Sequence, residues 1–124
     1  MSDTPGTVGW FEIGTGDPDT AERYYGGLFG WSFTREEGEV DYRLVSFGTG
    51  APPSGGVRGH GGRMHSYAIF FVKVDDVAAT VARSGQLGGQ VLVPPTKDDE
   101  GLVFAQLTDP AGNAFGVYTE PPRG

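Results

Sequence analysis

Hydrophobic and polar positions alternate in short runs along this chain, and most runs are closed by glycine, proline or aspartate. "TVGWFEIG" (7–14), "WSFTREE" (31–37) and "YRLVSFG" (42–48) read as strands of the first half. Between the first two, "DPDTAERYYGGLFGW" (17–31) changes to a helical period, with Ala21, Tyr24, Tyr25 and Leu28 on one face. Asp17 can cap that helix, Pro18 suits its first position, and Asp19 sits near the positive end of the dipole. Gly30 ends it, and Gly26 and Gly27 weaken the last turn. The second half repeats the order: "HSYAIFFVKV" (65–74) as strand, "DDVAATVARSGQL" (75–87) as capped helix with Val77 and Val81 inward, and "QVLVPP" (90–95) as strand. "GLVFAQL" (101–107) and "NAFGVY" (113–118) close the pattern.

A shift of 59 residues lays Asp17 on Asp76, Leu28 on Leu87, Gly30 on Gly89 and Trp10 on Ile69. A strand–helix–strand–strand–strand unit thus occurs twice, over about 8–59 and about 65–119. Each unit alone would leave one sheet face bare. The halves must therefore cover each other or a second chain.

Composition narrows the function classes. The 124 residues suffice for one domain, with 8 Phe, 5 Tyr and 2 Trp as bulky core material. The 22 glycines and 9 prolines are spread along the chain, which means many turns rather than a disordered tail. Cysteine is absent, so neither disulfides nor thiolate chemistry are available. A formal charge of −7 argues against nucleic acid, and no run reaches membrane length. A soluble cytoplasmic protein is expected. Arg58, His60, Arg63 and His65 form the one basic concentration, read as a solvated glycine-rich loop. "GGVRGHGG" (55–62) has no helix after it, so a phosphate cradle finds little support.

The segments "DPDTAERYYGGLFGW", "VKVDDVAATVARSGQLGG" and "LTDPAGNAFGVY" resemble the vicinal oxygen chelate superfamily, which includes glyoxalase I, bleomycin-resistance proteins and extradiol dioxygenases. The resemblance covers roughly residues 8 to 119 and is nearest to an actinobacterial hydroxylase-like branch. It implies an α+β fold of two βαβββ modules, a curled mixed sheet forming a cup with the helices outside. It also implies a homodimer of such chains. Metal-using members take ligands from the first and last strand of each module. Here those positions fall on Trp10, Gly56, Ile69 and Gly116, none of which ligates through its side chain. No cofactor is expected. A divalent metal held by His60, His65 and Glu12 is the alternative.

Gly116 poses a question of its own, because glycine inside a strand costs about 0.5–1 kcal/mol against alanine. Either Gly116 and Gly56 leave room for a ligand against bare backbone, or they relieve crowding beneath Trp10. Strand alternation places Val8, Trp10 and Glu12 on one face, with Tyr67, Ile69, Phe71 and Tyr118. Phe11, Ile13, Ala68, Phe70 and Val72 would then pack on the helices. The expected binding residues are Trp10, Glu12, Gly56, His65, Tyr67, Ile69, Phe71, Gly116 and Tyr118. Glu12 reads either as a base or ligand anchor, or as a rim carboxylate paired with Arg43 or Arg58. His65 reads as a proton shuttle or a surface residue, and Tyr67 as a ligand donor or core filler. Two functions follow. One is a metal-free cup that binds a hydrophobic or aromatic small molecule, as resistance proteins do. The other is a glyoxalase-type lyase or isomerase with Glu12 as catalytic base.

Overall fold

The computed structural model describes residues 4–48, 50–62 and 65–121. Its elements follow the expected order: β1 (Val8–Thr15), α1 (Pro18–Phe29), β2 (Ser32–Arg35), β3 (Tyr42–Ser46) and β4 (Gly55–Gly59), then β5 (Tyr67–Lys73), α2 (Val77–Gln86), β6 (Gln90–Lys97), β7 (Val103–Thr108) and β8 (Ala114–Thr119). The class is α+β. No helix among the described residues is long and apolar enough to cross a membrane.

The chain divides into two compact units. The first runs from Trp10 to Ala68. Its strands lie in the order β2-β3-β4-β1, antiparallel except for the parallel pair of β1 and β4. The second starts at Ile69 and also takes in the residues up to Gly9. Its order is β6-β7-β8-β5, again antiparallel except for the parallel pair of β5 and β8. The two strand orders are the same.

Local chemistry sets the helices. Asp17 accepts from the Thr20 backbone N–H at 3.1 Å, and Asp76 accepts from that of Ala79 at 3.0 Å. Gly30 ends α1 in the left-handed conformation at φ 75°, where a side chain would be strained. The two helices are then held differently. Under α2 lies a continuous cluster of Val77, Ala105, Leu107 and Val117, flanked by Val72, Val81 and Phe115. Burying each Val or Leu there stabilises by about 1.5–3 kcal/mol.

Under α1 no helix residue is fully buried, and the expected stripe is shallow: Tyr24 is 60% exposed and Leu28 57%. Ion pairs do much of the holding. Arg43, buried on β3, reaches Asp19 at 2.8 Å and Glu22 at 3.2 Å on α1, and its own neighbour Asp41 at 3.0 Å. Hydrogen bonds from Arg43 hold the Asp41 carboxyl below its usual range. At the other end of the helix, Trp31 gathers Tyr25, Phe29, Phe11 and Phe47, with ring centroids 5.3–5.5 Å away.

β6 is the edge of its sheet, with prolines 94 and 95 inside it and two register shifts against β7. That is where proline is tolerated, since an edge strand has N–H groups to spare.

Candidate functional site

The register of β1 on β4 sets Glu12 beside Gly56 and Gly14 beside Arg58. The register of β3 on β4 sets Tyr42 opposite Arg58 and Leu44 opposite Gly56. Alternation therefore gathers Trp10, Glu12, Gly14, Tyr42, Gly56 and Arg58 on one face. The other face carries Phe11, Arg43, Val45 and Val57 toward α1. The basic segment was expected to be a loop, but Arg58 lies within β4. Gly55 and Gly56 make that strand possible, because a Cβ on either would run into the ring above it, Phe11 or Tyr42.

Glu12 is buried, with 8% of its surface exposed. The Tyr67 hydroxyl donates to its Oε2 at 2.5 Å, and Tyr67 lays its ring over Gly14. The Trp10 indole N–H donates to the Tyr42 hydroxyl at 3.0 Å, and Tyr42 also hydrogen-bonds Glu12. Burial pushes the Tyr67 hydroxyl up to about 12; the Glu12 carboxylate adds to this, and Arg58 pulls against it. Burial also raises the Tyr42 hydroxyl well above its usual range, again reinforced by Glu12 and opposed by Trp10. Both phenols stay protonated and serve as donors at neutral pH. The result is a carboxylate framed by aromatic donors. Arg43, one of its two suggested partners, is engaged on the opposite face.

In the second unit the equivalent register sets Phe71 beside Gly116, and Gln106 across from it on β7. The Phe71 ring occupies the space a Cβ on Gly116 would need. Glycine here relieves crowding, but beneath Phe71 rather than Trp10, and Gly56 does the same beneath Tyr42. Ile69 and Phe71 are buried. Tyr118 is half-buried, and its hydroxyl comes over Gly9. The repeat length also becomes clear. Glu12 corresponds to Phe71 by a shift of 59, whereas Gly56 corresponds to Gly116 by 60, one residue more.

The sequence reading missed Tyr42, which sits within "YRLVSFG" and could have been placed on this face by alternation once β4 was recognised. His65 is exposed. Its suggested companion His60 accepts at Nδ1 from the Gly62 N–H at 3.1 Å, and its Nε2 is buried with no hydrogen-bond partner among the described residues. Arg63 lies outside the described residues.

The fit to a metal can be tested on the donor set. Trp10, Gly56, Ile69 and Gly116 offer an indole, an alkyl chain and two bare backbone positions, and no lone pair suited to a divalent cation. Among the described residues, no three His, Cys, Asp or Glu side chains come together to hold a metal ion. The residues do not fit the group.

The family described as the Glyoxalase/Bleomycin resistance protein/Dioxygenase superfamily matches residues 7–117. The chain belongs to that superfamily. Among curated relatives of this glyoxalase-superfamily chain is CFP32 of Mycobacterium tuberculosis (strain CDC 1551 / Oshkosh), 29% identical over 127 residues, covering 91% of this chain and 45% of the relative. The anthracycline biosynthesis protein DauV of Streptomyces sp. (strain C5) is 33% identical over 121 residues, covering 94% and 42%. The chain thus spans about half the length of the curated relatives it matches. Among solved structures, methylmalonyl-CoA epimerase from Mycobacterium tuberculosis superposes with a TM-score of 0.66 at 13% identity, covering 98% of this chain and 93% of that one. At that identity the likeness shows the fold alone.

Proposed function

We propose that this protein binds a planar, hydroxylated aromatic small molecule without a metal, on the Glu12 face of its first unit. The observation that carries the reading is the buried Glu12 carboxylate with the Tyr67 hydroxyl 2.5 Å away. A carboxylate fixed by phenols in an aromatic frame is a preorganised acceptor, and it orients a ligand O–H or N–H at little entropic cost. Trp10, Tyr42 and Tyr67 supply faces on which a flat ring can stack. The names of the relatives DauV and DnrV, both anthracycline biosynthesis proteins, support a fused aromatic ligand. Sequestration, as in drug resistance, or metabolite carriage is the corresponding role in the cytoplasm.

The test uses Trp10 as reporter. In a Trp31→Phe background, titration with an anthracycline should quench its fluorescence saturably. Glu12→Gln should weaken binding about ten-fold, the worth of one charge-assisted hydrogen bond. Absence of saturable quenching up to millimolar ligand would sink the reading. Elemental analysis of protein purified without chelators should give no stoichiometric Zn, Ni, Mn or Fe.

The same hydrogen bond favours a second reading, an isomerase. A buried carboxylate can take a proton from an acidic carbon and return it, with Tyr67 adjusting its donation as the charge on Glu12 changes. Deuterium exchange from solvent into an α-C–H acid, slowed by about 10²-fold in Glu12→Gln, would decide for it.

A homodimer also belongs to the proposal. Phe29 and Phe47 are each more than half exposed beside Trp31, and the curated relatives are about twice as long as this chain. Sedimentation should give a species of twice 13.1 kDa at micromolar concentration; a monomer there would refute it.

A further inference from the structure

Among the described cations of this acidic chain, those that are not exposed mostly meet carboxylates, as does Arg35. Arg43 has three, Arg35 meets Asp41 at 3.7 Å, and Lys73 meets Glu120 at 2.8 Å. Arg23 and Arg83 are exposed and bond to Thr20 and Gln86, and Lys97 is exposed. Arg58 differs from all of these. It is half-buried, and no carboxylate among the described residues lies within ion-pair distance of it. A partly desolvated guanidinium without an anion is costly to keep, so such a group is commonly completed by a ligand.

Its position says what kind. Arg58 is opposite Tyr42 on β3 and beside Gly14 on β1, on the face that carries Glu12. The Gly14 position is covered by the ring of Tyr67, the residue that donates to Glu12. Arg58 therefore stands one strand repeat, about 7 Å, from the level of Glu12 and Gly56. Glu12 draws its hydrogen bonds from phenols, and Arg58 reaches only the Tyr67 hydroxyl among them, so the rest of its guanidinium fork is open to a planar, two-oxygen acceptor. A hydroxyl or amide would satisfy one N–H. A carboxylate satisfies two and supplies the missing charge.

We infer that the ligand carries a carboxylate that pairs with Arg58, set at one end of an apolar body that lies over Trp10 and Tyr42. This rests on the proposed small-molecule site and adds the ligand's charge and polarity. It predicts a polar order along the face: anion at Arg58, donor at Glu12, ring over Trp10.

The test compares 2-naphthoate with its neutral amide, read by Trp10 fluorescence in the Trp31→Phe protein. The carboxylate should bind at least ten-fold tighter than the amide, and this ratio should shrink as salt is raised. Arg58→Gln should bring the ratio to about one, and Arg58→Lys should restore part of it without the bidentate advantage. Thermal melts of both variants check that the fold persists. Equal affinity for the two compounds in the unsubstituted chain would overturn the inference while leaving an aromatic site standing. A ratio that survives Arg58→Gln would overturn it too, placing the anion elsewhere. Failure of both compounds and of the anthracycline would remove the site itself.

Discussion

The two modules share strand order, register and capped helices, yet their equivalent faces carry opposite chemistry. Where the first has Trp10, Glu12, Tyr42 and Arg58, the second has Ile69, Phe71, Phe104 and Tyr118. One face is a hydrogen-bonded polar network under aromatic cover. The other is mostly packing, with Gln106 and Tyr118 among its few polar groups. A duplicated scaffold lets one copy keep the fold while the other holds groups that would destabilise a lone copy. The helices show the same division: α2 rests on an apolar cluster, whereas Arg43 and its carboxylates hold α1.

The sharpest way to break the contrast is to move the carboxylate across. Phe71→Glu puts a charge at the position equivalent to Glu12. It removes a buried ring and leaves the new charge without the tyrosine donors that Glu12 has. A loss of about 3–5 kcal/mol is expected by urea denaturation, and a midpoint within error of the parent would refute the account.

Glycine substitutions come next. Gly116→Ala should cost about 1–3 kcal/mol, because the new methyl meets the side of the Phe71 ring, from Cε2 back to the Cγ at its root. Gly56→Ala meets the far end of Tyr42, which can swing, so its loss should be the smaller of the two. The reverse order would show that the modules are not packed as described.

Removing a donor sharpens the picture of the polar face. Tyr67→Phe should cost about 1.5 kcal/mol, a hydrogen bond to a charged group. It should also change behaviour at high pH. The Tyr67 hydroxyl titrates near 10.0 when unfolded and at about 12 when folded. The folded chain holds that proton more tightly, so the stability involved is fully present below pH 10 and is lost as pH rises toward 12. In Tyr67→Phe, the decline in melting temperature across that window should flatten.

The smallest effects should be the most alike. Asp17→Ala and Asp76→Ala remove the same cap from each helix. Each should lower Tm by about 3–5 °C, with no module-specific difference.

Much of this was legible in the sequence. Both helices with their aspartate caps, the repeat, and the shared face of Trp10, Glu12 and Tyr67 followed from periodicity and turn chemistry. β4 was harder to see, because "GGVRG" lacks the side chains by which a strand is usually recognised. Its stability comes from rings contributed by β1 and β3, a tertiary effect no local pattern encodes. Tyr42 and the role of Arg58 were lost with it. The Tyr67 bond to Glu12 was left undecided for a related reason: a phenol bonded to a carboxylate and a phenol filling a core look the same in one dimension. Whether Gly116 left open space or relieved crowding stayed undecided, because alternation tells which way a position faces, not what lies above it.

One last consequence concerns the order in which the chain can complete itself. Gly6 donates to the Lys73 carbonyl at 2.8 Å, Lys73 donates to Thr7 at 2.9 Å, and Gly9 lies under Tyr118. Residues 4–9 thus belong to the unit whose remaining parts begin at Ile69. During synthesis they leave the ribosome well before their partners exist, and wait for some sixty residues to pass. Cutting the gene between the modules would not yield two halves, because the second would lack a segment that only the beginning of the first encodes. The two copies are separable on paper and interleaved in the chain.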